Sequence, residues 1–295
     1  MNAKVDFMNL LRRAAAPLLV GVIAVLPPAA QATAVAMVTD LQGKATVSSG
    51  GRTRDLTILA ELEAGATVKL DAGAKLVALY LDAGDEYLFK GTSTIEFKPG
   101  APEVQSGAKP ERSNLSLGKG GKDVRIKAVG MTQAAMVMRS AGPEVRIQLL
   151  TLNQTRTLET SPEFRWKGLP PGQRYGFELD DGTGRTVFET NVDVTSLRLP
   201  ANVQITENMP YTWKVSARLP DGSRYSSSAQ FAVATADLRA RAESLRPLAS
   251  APLSTRIAYG AWLDGTELKD EARKYWKAAA AERPNDARLK ELSEQ

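Results

Sequence analysis

A chain of 295 residues with 43% hydrophobic and 24% charged residues has room for two domains and a globular composition, which excludes a disordered chain and a multi-span membrane protein. Its net charge of +5 is too mild to point to nucleic acid, and without the segment before residue 33 (Lys4, Arg12 and Arg13 against Asp6) it falls to about +3. The chain has neither Cys nor His, so thiol nucleophiles, Ser-His-Asp triads, His metal sites, zinc fingers, disulfides and a lipid-modified Cys are all excluded, and stability must rest on packed cores.

Lys4, Arg12 and Arg13 precede an uncharged apolar run from Ala14 to Leu26, followed by Pro27-Pro28 and the small-residue triplet Ala30-Gln31-Ala32. This pattern predicts a secretory signal over 1–32, cleaved after Ala32, and a periplasmic body with no membrane span after cleavage. The competing reading is an uncleaved anchor, since no charge occurs between Arg13 and Asp40. The two prolines, Gln31 and the cleavage triplet weigh against it.

From Met37 the pattern is period two or short buried runs, which predicts strands over Lys44 to Val47, Thr67 to Leu70, Leu76 to Leu81, Tyr87 to Phe89 and Thr94 to Phe97. Leu76 to Leu81 is apolar on both faces and is expected to be the most buried of them. Gly50-Gly51, Asp71-Ala72-Gly73, Asp82-Ala83-Gly84-Asp85 and Pro99-Gly100 supply turns. The order of Gly43, the Gly50-Gly51-Arg52 turn, Leu56, Leu62, Gly65, an Ala-Leu-rich strand and Tyr87-Leu88 resembles the FecR-type periplasmic domain, here placed over 33–99. In regulators of that family the domain senses the state of an outer-membrane receptor and passes it through a membrane span to a cytoplasmic region. Only a dozen or so residues precede the hydrophobic segment here, so what the resemblance implies for this chain is protein binding or envelope sensing.

Residues 100–144 read as a basic Gly/Pro linker with a connecting strand at Val124, Ile126 and Ala128. From Lys98 to Lys127 there are seven basic and three acidic residues, which gives this stretch the excess charge. The cluster Gly118-Lys119-Gly120-Gly121-Lys122 lacks the spacing of a phosphate loop, and Asp123 stands where Ser or Thr is needed. Met131, Met136 and Met138 read as core filling, with an adaptable binding surface as the alternative.

Residues 145–234 have short alternating strands with turns about every 8 to 12 residues, the spacing of an Ig-like sandwich. Phe164-Arg165-Trp166, Tyr175, Phe177 and Leu179, Val187-Phe188, Leu197 to Pro200, Tyr211 to Val215 and Gln230 to Val233 mark its strands, with Tyr211 to Val215 central. The segment resembles a fibronectin type III domain, which implies Trp166 as the core tryptophan and Tyr211 as a tyrosine corner. A sugar-stacking platform of Trp166, Tyr175 and Trp213 is the alternative to core packing.

After Ala234 the period becomes helical. Leu238, Ala242 and Leu245, then Leu253, Ile257 and Ala261, then Leu268, Ala272, Trp276 and Ala279 each share a face over 235–295. The spacing Gly260, Ala272, Trp276, Ala279, Pro284 resembles a tetratricopeptide repeat. A single repeat cannot stand alone, so its stripe is expected to pack on the Ala236 to Leu245 helix and the preceding sandwich as a cap, with a peptide groove as the alternative.

Two carboxylate sets, Asp82 with Asp85 and Glu86, and Asp180 with Asp181, are candidates for acid–base work. Both lie where hairpin turns are expected, and local hydrogen bonding by Asp explains them more simply. Asp180-Asp181 offers too few oxygens for calcium, and the sequons at Asn114 and Asn153 are expected by chance. The expectation is a mainly β protein with a C-terminal helical segment: a FecR-like β domain, an Ig-like/fibronectin III sandwich and three to four short helices. No residue is expected to be catalytic, cofactor-binding or metal-binding. The expected function is recognition of an envelope protein partner in sensing or signalling. The alternatives are a peptidoglycan-binding or envelope-structural protein and, third, a carboxylate-based hydrolase.

Overall fold

The computed structural model describes residues 33–115, 117, 146–169 and 172–294. The expected signal segment over 1–32, the expected strand at Val124 to Ala128, the Met131 to Met138 run and the Gly118 to Lys122 cluster lie outside the described residues. What is described is mainly β, with four C-terminal helices.

Ten strands build the first sandwich: β1 (Ala34–Gln42), β2 (Ala45–Ser49), β3 (Arg52–Asp55), β4 (Glu61–Glu63), β5 (Thr67–Leu70), β6 (Lys75–Tyr80), β7 (Asp85–Lys90), β8 (Ser93–Phe97), β9 (Pro102–Ser106) and β10 (Glu111–Asn114). They form two five-stranded sheets in the orders β10-β7-β6-β1-β4 and β3-β2-β5-β8-β9. Alternate residues Ala36 and Val38, Leu76, Ala78 and Tyr80, Tyr87 and Phe89, and Ile95 and Phe97 meet between the sheets. The rings of Tyr80, Tyr87, Phe89 and Phe97 pack edge-on or stacked there. Gly43 turns β1 into β2 at φ +83°, and a Cβ there would sit 3.0 Å from Ala74 Cα, so only glycine fits this turn without strain.

The expected end of this domain at residue 99 is corrected. β9 pairs with β8 and β10 pairs with β7, so the ordered sandwich runs through Asn114, and Leu115 and Leu117 are buried beyond it. All four residues of β10 are exposed, so it carries no side-chain periodicity; its place is set by main-chain pairing to β7, which composition does not reveal.

The second sandwich has eight strands: β11 (Gln148–Leu149), β12 (Thr155–Thr157), β13 (Glu163–Lys167), β14 (Tyr175–Asp181), β15 (Thr186–Val192), β16 (Ser196–Arg198), β17 (Pro210–Arg218) and β18 (Arg224–Val233). The orders β11-β13-β16 and β12-β18-β17-β14-β15 give a three-stranded and a five-stranded sheet, with β12 running parallel to β18. This is Ig-like sandwich architecture with the extra strand on the larger sheet. Trp166 and Trp213 lie in the core with Phe164, Phe177 and Phe231. Thr206 N donates to Tyr211 Oη at 2.7 Å, the back-bond to upstream main chain that defines a tyrosine corner. Trp213 Nε1 donates to Leu152 O at 2.9 Å, whereas Trp166 Nε1 is buried with no partner among the described residues.

Four helices follow: α1 (Ala236–Leu245), α2 (Leu253–Gly265), α3 (Lys269–Glu282) and α4 (Ala287–Glu294). Thr235 caps α1, its Oγ1 accepting from Leu238 N at 3.3 Å. Gly260 lets α2 and α3 approach, because a Cβ there would meet the Trp276 ring at 2.7 Å. Tyr259 Oη donates to Ala242 O at 2.7 Å, and Arg256 grips Glu282 through two bonds of 2.5 and 2.7 Å.

The helical stripe packs on α1 as expected, through Ala242 and Leu245, but the sandwich that covers it differs from the expected one. Its main cover is the first sandwich: Met37, Ile58, Leu59, Leu79, Leu115 and Leu117 share one core with Ile257, Leu263, Trp276 and Leu289. This explains why Leu76 to Leu81 is apolar on both faces. Leu76, Ala78 and Tyr80 face the other sheet, and Leu79 faces the helices. The second sandwich adds only Ala234 and Leu158 to that core among the described residues and meets the helices mainly through polar links. Arg156 N donates to Glu267 O at 2.7 Å, Lys269 N to Thr155 Oγ1 at 3.0 Å and Leu152 N to Asp270 Oδ2 at 2.7 Å.

Candidate functional site

The two carboxylate sets singled out from the sequence lie in different sandwiches and do not converge. Asp82 lies in the turn after β6, but Asp85 and Glu86 belong to β7 and are buried, which corrects their expected place in a turn. Asp85 is held by Arg112 at 2.6 Å. Glu86 lies against α2, with Ser254 in the first turn of that helix as its hydrogen-bond partner. Burial raises its pKa above the ordinary carboxylate value, with the Ser254 bond opposing, and Oε1 has no partner among the described residues.

Asp180 and Asp181 do sit at the β14–β15 hairpin. Asp181 Oδ1 accepts from Thr183 Oγ1 at 2.5 Å, Thr183 N at 2.9 Å and Arg185 N at 3.1 Å. These bonds, led by the Thr183 hydroxyl, hold its pKa down at about 2. It is a turn-capping aspartate. Trp166, Tyr175 and Trp213 are buried to within 3% of full, so they form core and no sugar-stacking platform. Among the described residues no group of three or more acidic side chains has the arrangement to hold a metal ion, and no helix is long and apolar enough to cross a membrane.

A different feature emerges on the outer face of the five-stranded sheet. Alternation along β14, β15, β17 and β18 sends Tyr175, Phe177, Trp213, Val215 and Phe231 inward and leaves polar residues outside, sorted by register into three rows across the strands. The first row pairs Arg218 with Arg224, and Arg174 precedes the Tyr175 that pairs with Ala217. The second places Asn191, Gly176, Ser216 and Ser226 side by side, and the third Glu189, Glu178, Lys214 and Ser228.

A groove of about 650 Å³ lies over the first two rows, and a smaller one of about 300 Å³ continues it over the third. Gly176 forms the floor: a Cβ there would stand 3.0 Å from Ser216 Oγ and 3.6 Å from Asn191 Oδ1. Arg174, Arg218 and Arg224 are exposed and make no ion pair with any described residue. Lys214 stands 3.8 Å from Glu178.

None of these residues was singled out from the sequence. The available signals were a glycine inside an otherwise regular strand, which marks close approach or a hollow, and the run Lys214, Ser216, Arg218 on alternate outward positions. The arrangement can bind charge at both ends and hydrogen-bond along its floor. Unpaired guanidinium groups match carboxylates in two-pronged geometry.

No protein-family model matches the chain, and no curated protein matches it. Among solved structures it is similar to CopC from Methylosinus trichosporium OB3b, at 18% identity and a TM-score of 0.23, over 30% of this chain and 94% of that one. It is also similar to the extracellular domain of the putative one component system BT4673 from B. thetaiotaomicron, at 9% identity and a TM-score of 0.25, over 60% of this chain and 29% of that one. A third similarity is to the FMN-binding beta-glucuronidase from Facaelibacterium prausnitzii L2-6, at 13% identity and a TM-score of 0.22, over 68% of this chain and 40% of that one. At these scores the likenesses carry no functional argument.

Proposed function

We propose that the protein is an exported, non-catalytic envelope protein that recognises a partner protein, with the arginine-rimmed groove of the second sandwich as its dock and a part in envelope sensing. The observation that carries the reading is the row of Arg174, Arg218 and Arg224, three exposed cations without an ion-pair partner among the described residues, set beside a hollow floored by Gly176. Like charges directly opposite on neighbouring strands weaken a sheet, so the Arg218–Arg224 pair brings the fold no benefit. An acidic surface on a partner would offset it. The FecR resemblance of the first sandwich and the signal-like pattern of 1–32 support the envelope setting.

The test is crosslinking in the cell. A photoreactive residue at Ser226 is expected to trap a partner protein, and the double variant Arg218→Glu, Arg224→Glu is expected to abolish the adduct. The reading falls if no protein adduct forms at Ser226 or if the double variant leaves it undiminished.

A further inference from the structure

The groove is charged in opposite senses at its two ends, and this restricts what can lie in it. At one end Arg218 faces Arg224 across the β17–β18 pair, with Arg174 adjoining. At the other end Glu178 faces Glu189 across the β14–β15 pair, and Lys214 stands 3.8 Å from Glu178. Each end therefore holds a directly opposed like-charge pair, an arrangement that weakens sheet pairing.

Four residues separate the two rows along a strand, Arg218 to Lys214 on β17 and Arg174 to Glu178 at β14. At about 3.3 Å per residue the rows lie roughly 13 Å apart. Between them the floor of Gly176, Ser216, Ser226 and Asn191 offers hydroxyl and amide groups and no charge. A uniformly anionic polymer, such as an acidic glycan or nucleic acid, would be held at the arginines and repelled at Glu178 and Glu189.

Resting on the protein-binding reading above, we infer that the groove takes an extended peptide segment of mixed charge, with carboxylate side chains on the arginine row and, about four residues away, a basic side chain on the glutamate row. Side chains four apart on an extended chain lie on the same face and span the same length as the rows. The groove lies on the sheet's face and not at its edge, so recognition runs through side chains and leaves β-strand addition aside.

The test uses the purified chain and two fluorescent peptides, followed by anisotropy at low and at moderate salt. One peptide carries a pair of aspartates and, four positions on, a lysine; in the other that lysine is an aspartate. The mixed peptide is expected to bind about tenfold more tightly than the acidic one, and both affinities are expected to fall with salt. Arg218→Glu with Arg224→Glu is expected to weaken the mixed peptide by at least about tenfold. Glu178→Lys with Glu189→Lys is expected to reverse the preference, a switch that a purely structural disturbance would not produce. Equal binding of the two peptides, no reversal, or tighter binding of soluble peptidoglycan fragments than of the mixed peptide would overturn the inference. Should neither peptide bind while Ser226 still crosslinks to a protein, the mixed-charge chemistry fails and the protein-binding role stands. Selective peptide binding without a cellular adduct sinks the cellular role and upholds the site.

Discussion

Single residues in this protein carry costs that the surrounding packing holds in place. Glu86 is buried against the first turn of α2, its Oε1 without a partner among the described residues, and burial lifts its pKa above the usual 4.5. The folded state thus holds this proton more tightly than the unfolded chain. That favours folding fully below the unfolded value and is lost as pH rises through the raised one. Glu86→Gln is therefore expected to stabilise the protein by about 1 kcal/mol at neutral pH and to bring no gain at pH 4, read from urea unfolding at the two pH values. Gly260 shows the opposite dependence, on space. A methyl there meets the rigid Trp276 ring at 2.7 Å, so Gly260→Ala should cost about 1–3 kcal/mol, measurable as a lower thermal midpoint. The glycine and the tryptophan were legible in the sequence as a helix-seam pair. Glu86 was not, because what matters about it is the helix lying over β7.

At the scale of elements, β17 and β18 unite sandwich and groove. Their inward residues Trp213, Val215, Ala229 and Phe231 build the core, while their outward residues include the opposed Arg218 and Arg224. Arg224→Glu turns that repulsion into attraction and should raise sandwich stability by about 0.2–1 kcal/mol while lowering affinity for the proposed peptide. Calorimetry and anisotropy on the same variant separate the two effects. A gain in stability with a loss of binding is the pattern expected where function holds residues the fold would not choose. Period two made β5 and β8 readable, a continuous apolar run did so for β6, and period 3.6 did the same for α1 to α3. β3 and β10 escaped because all eight of their residues are exposed. Each sits at a sheet edge, placed by one neighbour's main chain.

Across the whole molecule the helices bind the two sandwiches by different means. They share an apolar core with the first and join the second through Glu267, the Lys269 amide and the side chain of Asp270. Arg156, Thr155 and Leu152 receive or donate these bonds from β12 and the segment before it. Truncation after Ala234 would uncover Met37, Leu59 and Leu79, so the shortened chain is expected to aggregate or to unfold at markedly lower temperature, measured by light scattering during a thermal ramp. A shortened chain as stable as the full one would contradict the shared core.

By itself the sequence determined the classes of element and their order, because alternation and helical spacing are imprinted wherever one face is buried and the other is wet. It also determined which chemistries lack their residues, since a chain without Cys or His cannot supply them. The tertiary structure alone decided that the helices cover the first sandwich, that 102–114 adds two strands to it, and that Arg174, Arg218 and Arg224 stand together opposite Glu178 and Glu189. The reason is register. Residues from two strands and the segment before a third become one charged row only once main-chain hydrogen bonds align them, and no local pattern in any one strand records that alignment.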